Sequence, residues 1–408
     1  MWLYDESVAQ FHVRMCWMKL DGVDALRRHQ QRFGRAGQIF VAPARVNLIG
    51  EHTDYTGGLV MPMAIDFHTV ATISAREDGR AVFFSDNYKE EVSLELATLG
   101  RTPREHWSDY PVGVLWSLLE GNVPVGGFSM SLEGDVPVGA GLSSSASVEV
   151  ATAMALLGLA GVTLPLKEIA TLCRRAENEY VGAKSGIMDQ FIVAGGVAGR
   201  AMMLDCRTLG FELLPLPEEV RVVICNSMVQ HSVATGDYGD RSDEVEAGQE
   251  VLRRERPGIE LLRDATLADL EACKDKMSAE SFARCRHIIT ENGRVQDARE
   301  ALLRGDVKRF GNLMVEAHAS MRDDFAASCE EVDVLVEIAV GRPGCFGARI
   351  TGGGFGGCTV NVVRTEQAEG FVEAVRGEYA AKTGIDAQCF VSVPTDGAIA
   401  LAAKGRAA

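Results

Sequence analysis

A chain of 408 residues, 47% hydrophobic and 24% charged, has the composition of a soluble globular protein with room for two domains, which excludes a disordered tail. Its 41 basic against 57 acidic residues leave a formal charge of −16, which opposes nucleic-acid phosphates and anionic lipid, so neither nucleic acid nor a membrane is an expected partner. The longest uncharged apolar run, Val150 to Leu166, falls short of the roughly 20 residues of a bilayer span and is broken by Gly158, Gly161 and Pro165.

The first 17 residues mix charge with aromatics and lack the basic and apolar regions of a signal peptide. Met18 opens a cleaner amphipathic helix running to about Arg32 and reads as the natural start. Strands are expected at Gln38 to Ile49, Leu59 to Met63, Thr69 to Ala75 and Ala81 to Ser85. A helix over Trp107 to Leu119, a strand over Phe128 to Leu132 and two long helices, Ser143 to Leu159 and Leu166 to Val181, complete an α+β first half. Two prolines and a glycine interrupt the pattern between Leu204 and Pro217, which suggests a boundary and domains over 1–210 and 211–408. Beyond it come a strand at Arg221 to Asn226 and helices at Asp237 to Arg256, Ala279 to Leu303 and Lys308 to Met321. Strands at Ala348 to Thr351, Thr359 to Val363 and Cys389 to Val393, with a helix over Gln367 to Thr383, close the chain. Ten cysteines without any C-x-x-C point to reduced thiols and a cytoplasmic location.

Two glycine-rich stretches stand out. Gly352-Gly353-Gly354-Phe355-Gly356-Gly357 satisfies the dinucleotide pattern G-x-G-x-x-G, but that pattern binds pyrophosphate only when it opens a helix. Here Cys358-Thr359-Val360-Asn361-Val362-Val363 follows, a β-branched run, so the stretch reads as a turn between two strands. The other, "DVPVGAGLSSSASVEVA" from Asp135 to Ala151, has the right context for an anion. Gly139, Ala140, Gly141 and Leu142 bring backbone close to a ligand, and Ser143, Ser144 and Ser145 fall where a helix begins, with its free N–H groups and positive dipole end. Serine capping alone would need one serine; three behind two glycines favour phosphate. No Walker lysine is present.

"PARVNLIGEHTDYTGG", Pro43 to Gly58, gathers Arg45, Glu51, His52 and Asp54 on a strand and its turn. Polar turn residues are commonly just solvated, yet two carboxylates and an imidazole together suit the several hydroxyls of a polyol. "AENEYVGAKSGIMDQF", Ala176 to Phe191, carries Glu177 at a helix end and Asp189 behind a glycine-bearing loop. Either is an exposed helix charge, or a rigidly held acid, base or metal ligand.

Taken together, Arg45 to Tyr55, Gly139 to Ser147 and Thr351 to Cys358, with Gly186 to Phe191 and Asn226, His231, Tyr238 and Arg241 between them, resemble the GHMP small-molecule kinase superfamily and within it the galactokinase family. The resemblance implies an α+β two-domain GHMP kinase fold, its N-terminal domain with a left-handed β-α-β crossover and its C-terminal domain ferredoxin-like. It implies transfer of the γ-phosphoryl of ATP to the anomeric hydroxyl of galactose by a monomer, with Mg²⁺ held by Ser145 and Glu177. Backbone amides of Gly139 to Ser144 would cradle the phosphates. Asp189 would take or polarise the hydroxyl proton, with Arg45 beside it steadying its charge and the transferring group. Glu51, His52, Asp54, Gly186 and Tyr238 would hold the sugar, and the GGGFGG turn would support the nucleotide loop. Departures from the family pattern are Ala44 before the arginine, Ser242 after Arg241, and Lys184. N-acetylgalactosamine and arabinose kinases share much of this set, although Thr53 favours galactose. Catalytically weak sugar-sensing regulators share it too, but Arg45, Ser145, Glu177 and Asp189 are all intact, which favours an enzyme.

Overall fold

The computed structural model describes residues 22–230 and 234–401, the side chains of 230 and 234–238 excepted. The expected start at Met18, His231 and the Tyr238 side chain therefore lie outside the described residues. Three sheets organise the rest. The largest has six strands in the order β13-β1-β3-β6-β4-β5, formed by β1 (Gln38–Asn47), β3 (Pro62–Ala75), β4 (Arg80–Ser85), β5 (Glu90–Glu95), β6 (Phe128–Gly134) and β13 (Ile399–Leu401). Among the described strands only β4 and β6 pair in parallel. A small sheet pairs β2 (Leu59–Val60), β7 (Arg200–Asp205) and β8 (Gly210–Pro215).

The third sheet, β10-β11-β9-β12, contains β9 (Val220–Gln230), β10 (Cys345–Thr351), β11 (Gly356–Arg364) and β12 (Gln388–Ser392), all antiparallel. In chain order this is 2-3-1-4 with helices between the first and second and the third and fourth strands, the split β-α-β arrangement expected of a ferredoxin-like unit. The helices are α1 (Gly22–Phe33), α2 (Asp109–Glu120), α3 (Ser144–Ala160), α4 (Leu166–Arg175), α5 (Met188–Gly195), α6 (Ala234–Glu255), α7 (Leu267–Glu271), α8 (Ala279–Leu303), α9 (Val307–Asp323), α10 (Glu330–Val340) and α11 (Ala368–Thr383). Among them none is long and apolar enough to cross a membrane.

Several elements depart from the sequence expectation for identifiable reasons. The strands expected at 59–63 and 69–75 are largely one strand, β3, because its pairing with β1 runs on past Asp66 and His68. The register shifts between Pro43 and Ala44, just before Arg45, where proline lacks the N–H that a regular ladder needs; the two extra residues, Asp66 and Phe67, lie on β3. The interruption between Leu204 and Pro217 is a hairpin, β7 and β8, with Pro215 ending its outer strand. β5 reads as loop because it is an edge strand that buries only Val92. α5 and α10 are short helices that the periodicity of the sequence does not declare.

α3 is the buried axis of the N-terminal half. Its residues are buried on all sides, from Ala146 and Val150 to Leu157, as for a helix enclosed in a core. It lies against β1, β3, α2 and α5, and a Cβ at Gly158 would stand 2.3 Å from the Phe40 ring, so only glycine lets helix and sheet meet there. That packing fixes where the helix N-terminus points.

Candidate active site

β1 delivers Arg45 to the mouth of the first glycine loop. Its guanidinium bonds Asp189 in two-pronged fashion, Nε to Oδ1 and Nη2 to Oδ2, both at 2.7 Å, while Nη1 donates to the Gly141 carbonyl at 2.6 Å. Burial by itself would lower the Arg45 pKa, but the Asp189 charge and hydrogen bonds outweigh it and the net shift is upward. Asp189 stands in the first turn of α5 and also accepts a bond from the Ser143 hydroxyl. Both of its oxygens are thus fixed in place, yet its side chain keeps 26% exposure toward solvent. A carboxylate held in this way is oriented before any substrate arrives.

Ser143 occupies the N-cap of α3 in left-handed backbone (φ +58°) and makes no side-chain capping bond, so helix capping does not explain the serine run. Its hydroxyl serves Asp189 instead, which leaves its backbone, rather than its side chain, for a nucleotide. Ala140 and Leu142 point their side chains into the core and likewise offer backbone. The Ser145 hydroxyl lies near enough to Glu177 to oppose the rise of its pKa, and Ser144 and Ser145 line a cleft of about 300 Å³ with Asn87, Tyr88, Trp107, Tyr110 and Val138. The Tyr88 and Trp107 rings lie near-parallel there, 6.1 Å apart at 16°. The sequence reading missed this cleft; the available signal was a tyrosine in an exposed strand turn and a tryptophan just before α2.

Glu177 is not on a regular helix. Ala176–Val181 is a π-helical turn, a form that recurs at functional sites because its extra residue re-aims a side chain. The Glu177 carboxylate is buried and accepts from Ser185 Oγ (2.6 Å) and Gln190 Nε2 (2.8 Å), and Gln190 also donates to the buried Glu149 at 3.0 Å. Burial raises the Glu177 pKa, opposed by the Ser185 bond and reinforced by the Asp189 charge. Gln190 and Glu149 were not legible as site residues, since each looks like one polar position on an otherwise apolar helix.

The sugar-motif turn, residues 48–58, sits beside these groups. Asp54 faces Gly186 so closely that a Cβ on Gly186 would lie 1.9 Å from its carboxylate, a contact that only glycine permits. Burial first, then the nearby Asp189 charge, push the Asp54 pKa up to about 7. Glu51 is 2% exposed and accepts from the Gly352 N–H (2.8 Å) and from Asn47 Nδ2. The His52 ring is buried: it stacks on Phe325 (centroids 4.1 Å apart) and meets the Tyr55 hydroxyl at 3.2 Å, and burial drives its pKa down to about 3. Lys184 is an exposed partner of Asp243 at 3.0 Å and touches none of these groups.

The GGGFGG turn joins β10 to β11, as its β-branched sequel implied. It abuts the first loop backbone to backbone: a Cβ at Gly352 would stand 2.9 Å from the Gly141 carbonyl, and one at Gly357 would stand 3.1 Å from that of Ala140.

Three family signatures match in order: the galactokinase galactose-binding signature over residues 27–75, the GHMP kinases N terminal domain over 109–196 and the GHMP kinases C terminal region over 298–381. The human galactokinase is 41% identical over 386 residues, covering 92% of this chain and 95% of its own. The chain belongs to the galactokinase family. The Chloroflexus aggregans galactokinase is likewise 41% identical over 347 residues, covering 85% of this chain and 89% of that protein. The crystal structure of Lactococcus lactis galactokinase complexed with galactose superposes with a TM-score of 0.89 at 32% identity, covering 93% of this chain and 99% of that one. The galactose-binding signature spans Arg45, Glu51, His52 and Asp54, and the N-terminal GHMP match spans the serine loop, Glu177 and Asp189.

Proposed function

We propose that this chain is a galactokinase that moves the γ-phosphoryl of ATP to the anomeric hydroxyl of α-D-galactose, giving galactose 1-phosphate and ADP. The observation that carries the residue assignment is the two-pronged Arg45–Asp189 pair, seated between the phosphate loop and the sugar-motif turn. Asp189 accepts the proton of the anomeric hydroxyl as its oxygen attacks the γ-phosphorus; the bond from that phosphorus to the bridging oxygen breaks, and ADP leaves with its electron pair. Arg45 balances the charge that accumulates, and little covalent chemistry is asked of the protein beyond position and electrostatics.

Backbone amides of Gly139 to Ser144 receive the phosphates at the N-terminus of α3. The aromatic cleft beside Ser144 and Ser145 accepts the adenine and ribose, whose flat base suits Tyr88 and Trp107. Glu177 and Ser145 offer adjacent hard oxygen donors, the set that suits Mg²⁺, and would hold it where it neutralises the β- and γ-phosphates. Glu51, His52, Asp54, Gly186 and Tyr238 hold the sugar. We place the protein in the cytoplasm on its cysteine pattern and its family.

ATP consumption across a sugar panel tests the reading. Galactose is expected to exceed glucose in kcat/KM by the equivalent of at least ~1–3 kcal/mol, since the epimer leaves a buried polar group without its partner. Equal values for the two, or turnover only with N-acetylgalactosamine or arabinose, would sink the galactose assignment.

A further inference from the structure

The sugar-motif turn is held from behind by α8. On that helix His287 Nε2 meets the Glu51 carbonyl at 3.2 Å, Glu291 Oε1 accepts the Gly50 N–H at 2.8 Å, and Asn292 Oδ1 accepts the Leu59 N–H at 2.8 Å. His287 and Glu291, four residues apart, lie one above the other on α8, and Asn292 follows Glu291, so that a single helix grips the turn by its backbone at both ends.

Arg349 stands behind this grip. It projects from β10 three residues before Gly352 and is completely buried. Its Nη2 lies 3.8 Å from Glu51 Oε1 and its Nη1 lies 3.7 Å from Glu291 Oε1, while none of its three guanidinium nitrogens finds a hydrogen-bond partner among the described residues. Those two carboxylate oxygens are the ones that accept the Gly352 and Gly50 N–H groups. A fully buried arginine that hydrogen-bonds no other protein group is a poor way to stabilise a fold, because an apolar side chain of similar volume would avoid its desolvation. Its placement is explained by the two negative charges that it faces.

We propose that Arg349, with Glu291, is a positioning residue for the sugar. Its charge, delivered by β10, is shared by the Glu51 carboxylate on the turn and the Glu291 carboxylate on α8, and so fixes the turn that presents Glu51 and Asp54. The inference rests on the galactose reading above. Electrostatics agree: burial raises the Glu51 pKa and Arg349 opposes that rise, while at Glu291 the same burial is outweighed by Arg294 and Arg349, bringing it to about 2. Arg294 holds the far oxygen of Glu291 at 2.6 Å, which leaves Arg349 as the cation that the two carboxylates share.

The test compares Arg349→Met, which keeps volume and removes charge, with Arg349→Lys, which keeps charge. Steady-state kinetics with each substrate varied separately, and calorimetric titration with galactose, are run on variants whose folding is checked by circular dichroism. In Arg349→Met the KM and Kd for galactose are expected to rise about tenfold or more, with kcat at saturating galactose and the KM for ATP changed by less than about threefold. Arg349→Lys is expected to recover most of the affinity. A merely structural role would reduce the active fraction, lowering kcat and leaving both KM values alone; that result, an unchanged galactose KM, or a lysine variant as impaired as the methionine one overturns the proposal. If Arg349→Met is recovered only unfolded, Glu291→Gln decides by the same split, with a raised galactose KM supporting the proposal and an unchanged one overturning it. A wild-type chain that turns over a different sugar and not galactose removes the galactose reading instead, and the same comparison is then made with that sugar.

Discussion

Two glycine-rich stretches, residues 139–145 and 352–357, share a composition and a backbone habit but not a task. Both use left-handed conformations: Gly139 and Gly141 in the first, Gly352, Gly354 and Phe355 in the second. The first runs into α3, whose first-turn N–H groups have no partner within the helix and receive no side-chain cap; the second runs into β11, whose N–H groups are taken up by neighbouring strands. The element that follows decides whether glycine backbone meets a ligand or another piece of protein. The two stretches also touch, so the second is the bed on which the first lies.

The strongest way to break this comparison is at Asp189, the carboxylate fixed to the first stretch through Ser143 and Arg45. Asp189→Asn keeps size and removes charge, and is expected to lower kcat by ~10²–10⁴ with the KM for ATP nearly constant. If steady-state kinetics show kcat preserved and the galactose KM raised, Asp189 orients the sugar and the catalytic assignment ends.

Next in size is Glu177. If Glu177 holds Mg²⁺ as proposed, replacing it with glutamine, a neutral amide and a poorer partner for a hard cation, should raise the Mg²⁺ concentration needed for half-maximal turnover by about tenfold. The thermal melt of the metal-free protein should move little. An unaltered Mg²⁺ titration removes Glu177 from the metal site.

The third prediction separates the two glycine stretches directly. At Gly354 (φ +93°) a Cβ would stand 2.4 Å from the Ala327 carbonyl, so Gly354→Ala is expected to lose about 1–3 kcal/mol of stability by denaturant titration while the folded fraction keeps its ATP affinity. At Gly141 (φ +76°) the new Cβ would meet the Thr351 carbonyl at 3.3 Å, a milder clash in the loop itself; Gly141→Ala should raise the KM for ATP more than it lowers stability. The reverse pattern would mean that the roles of bed and cradle are exchanged.

The smallest effect concerns Asp54. Its folded-state pKa of about 7 lies above that of an unfolded aspartate, so between about pH 4 and 7 the folded protein binds a proton that the unfolded chain does not. The stability that Asp54 contributes is greatest below about pH 4 and is lost as pH rises through 7. Wild type should therefore lose a few degrees of Tm relative to Asp54→Asn between pH 5 and 8, and parallel Tm profiles for the two would show that the group is not so perturbed.

Local pattern carried much of this protein. The helix over Ala279 to Leu303 was legible to the residue from its periodicity. The GGGFGG run was legible as a turn because β-branched residues followed it, and the serine run as a helix start because glycines preceded it and apolar residues followed. Those are short-range signals: backbone freedom, side-chain branching and the period of burial act within a few residues. The family resemblance rested on the same contiguous motifs.

What only the tertiary structure decided are pairings between residues far apart in the chain, since no local rule specifies which buried charge meets which. Arg45 with Asp189 and Arg349 with Glu51 span more than a hundred positions, the second nearly three hundred, and even Arg349 and Glu291 lie far beyond the reach of any local pattern. The same holds for the His52 ring, whose stacking on Phe325 no local pattern specifies. The aromatic cleft, too, exists only because Tyr88, Trp107 and the start of α3 converge from three separate elements. Sequence determines what each side chain is able to do; desolvation and charge, acting once the sheets and helices close over the site, determine which of those capacities remains in use.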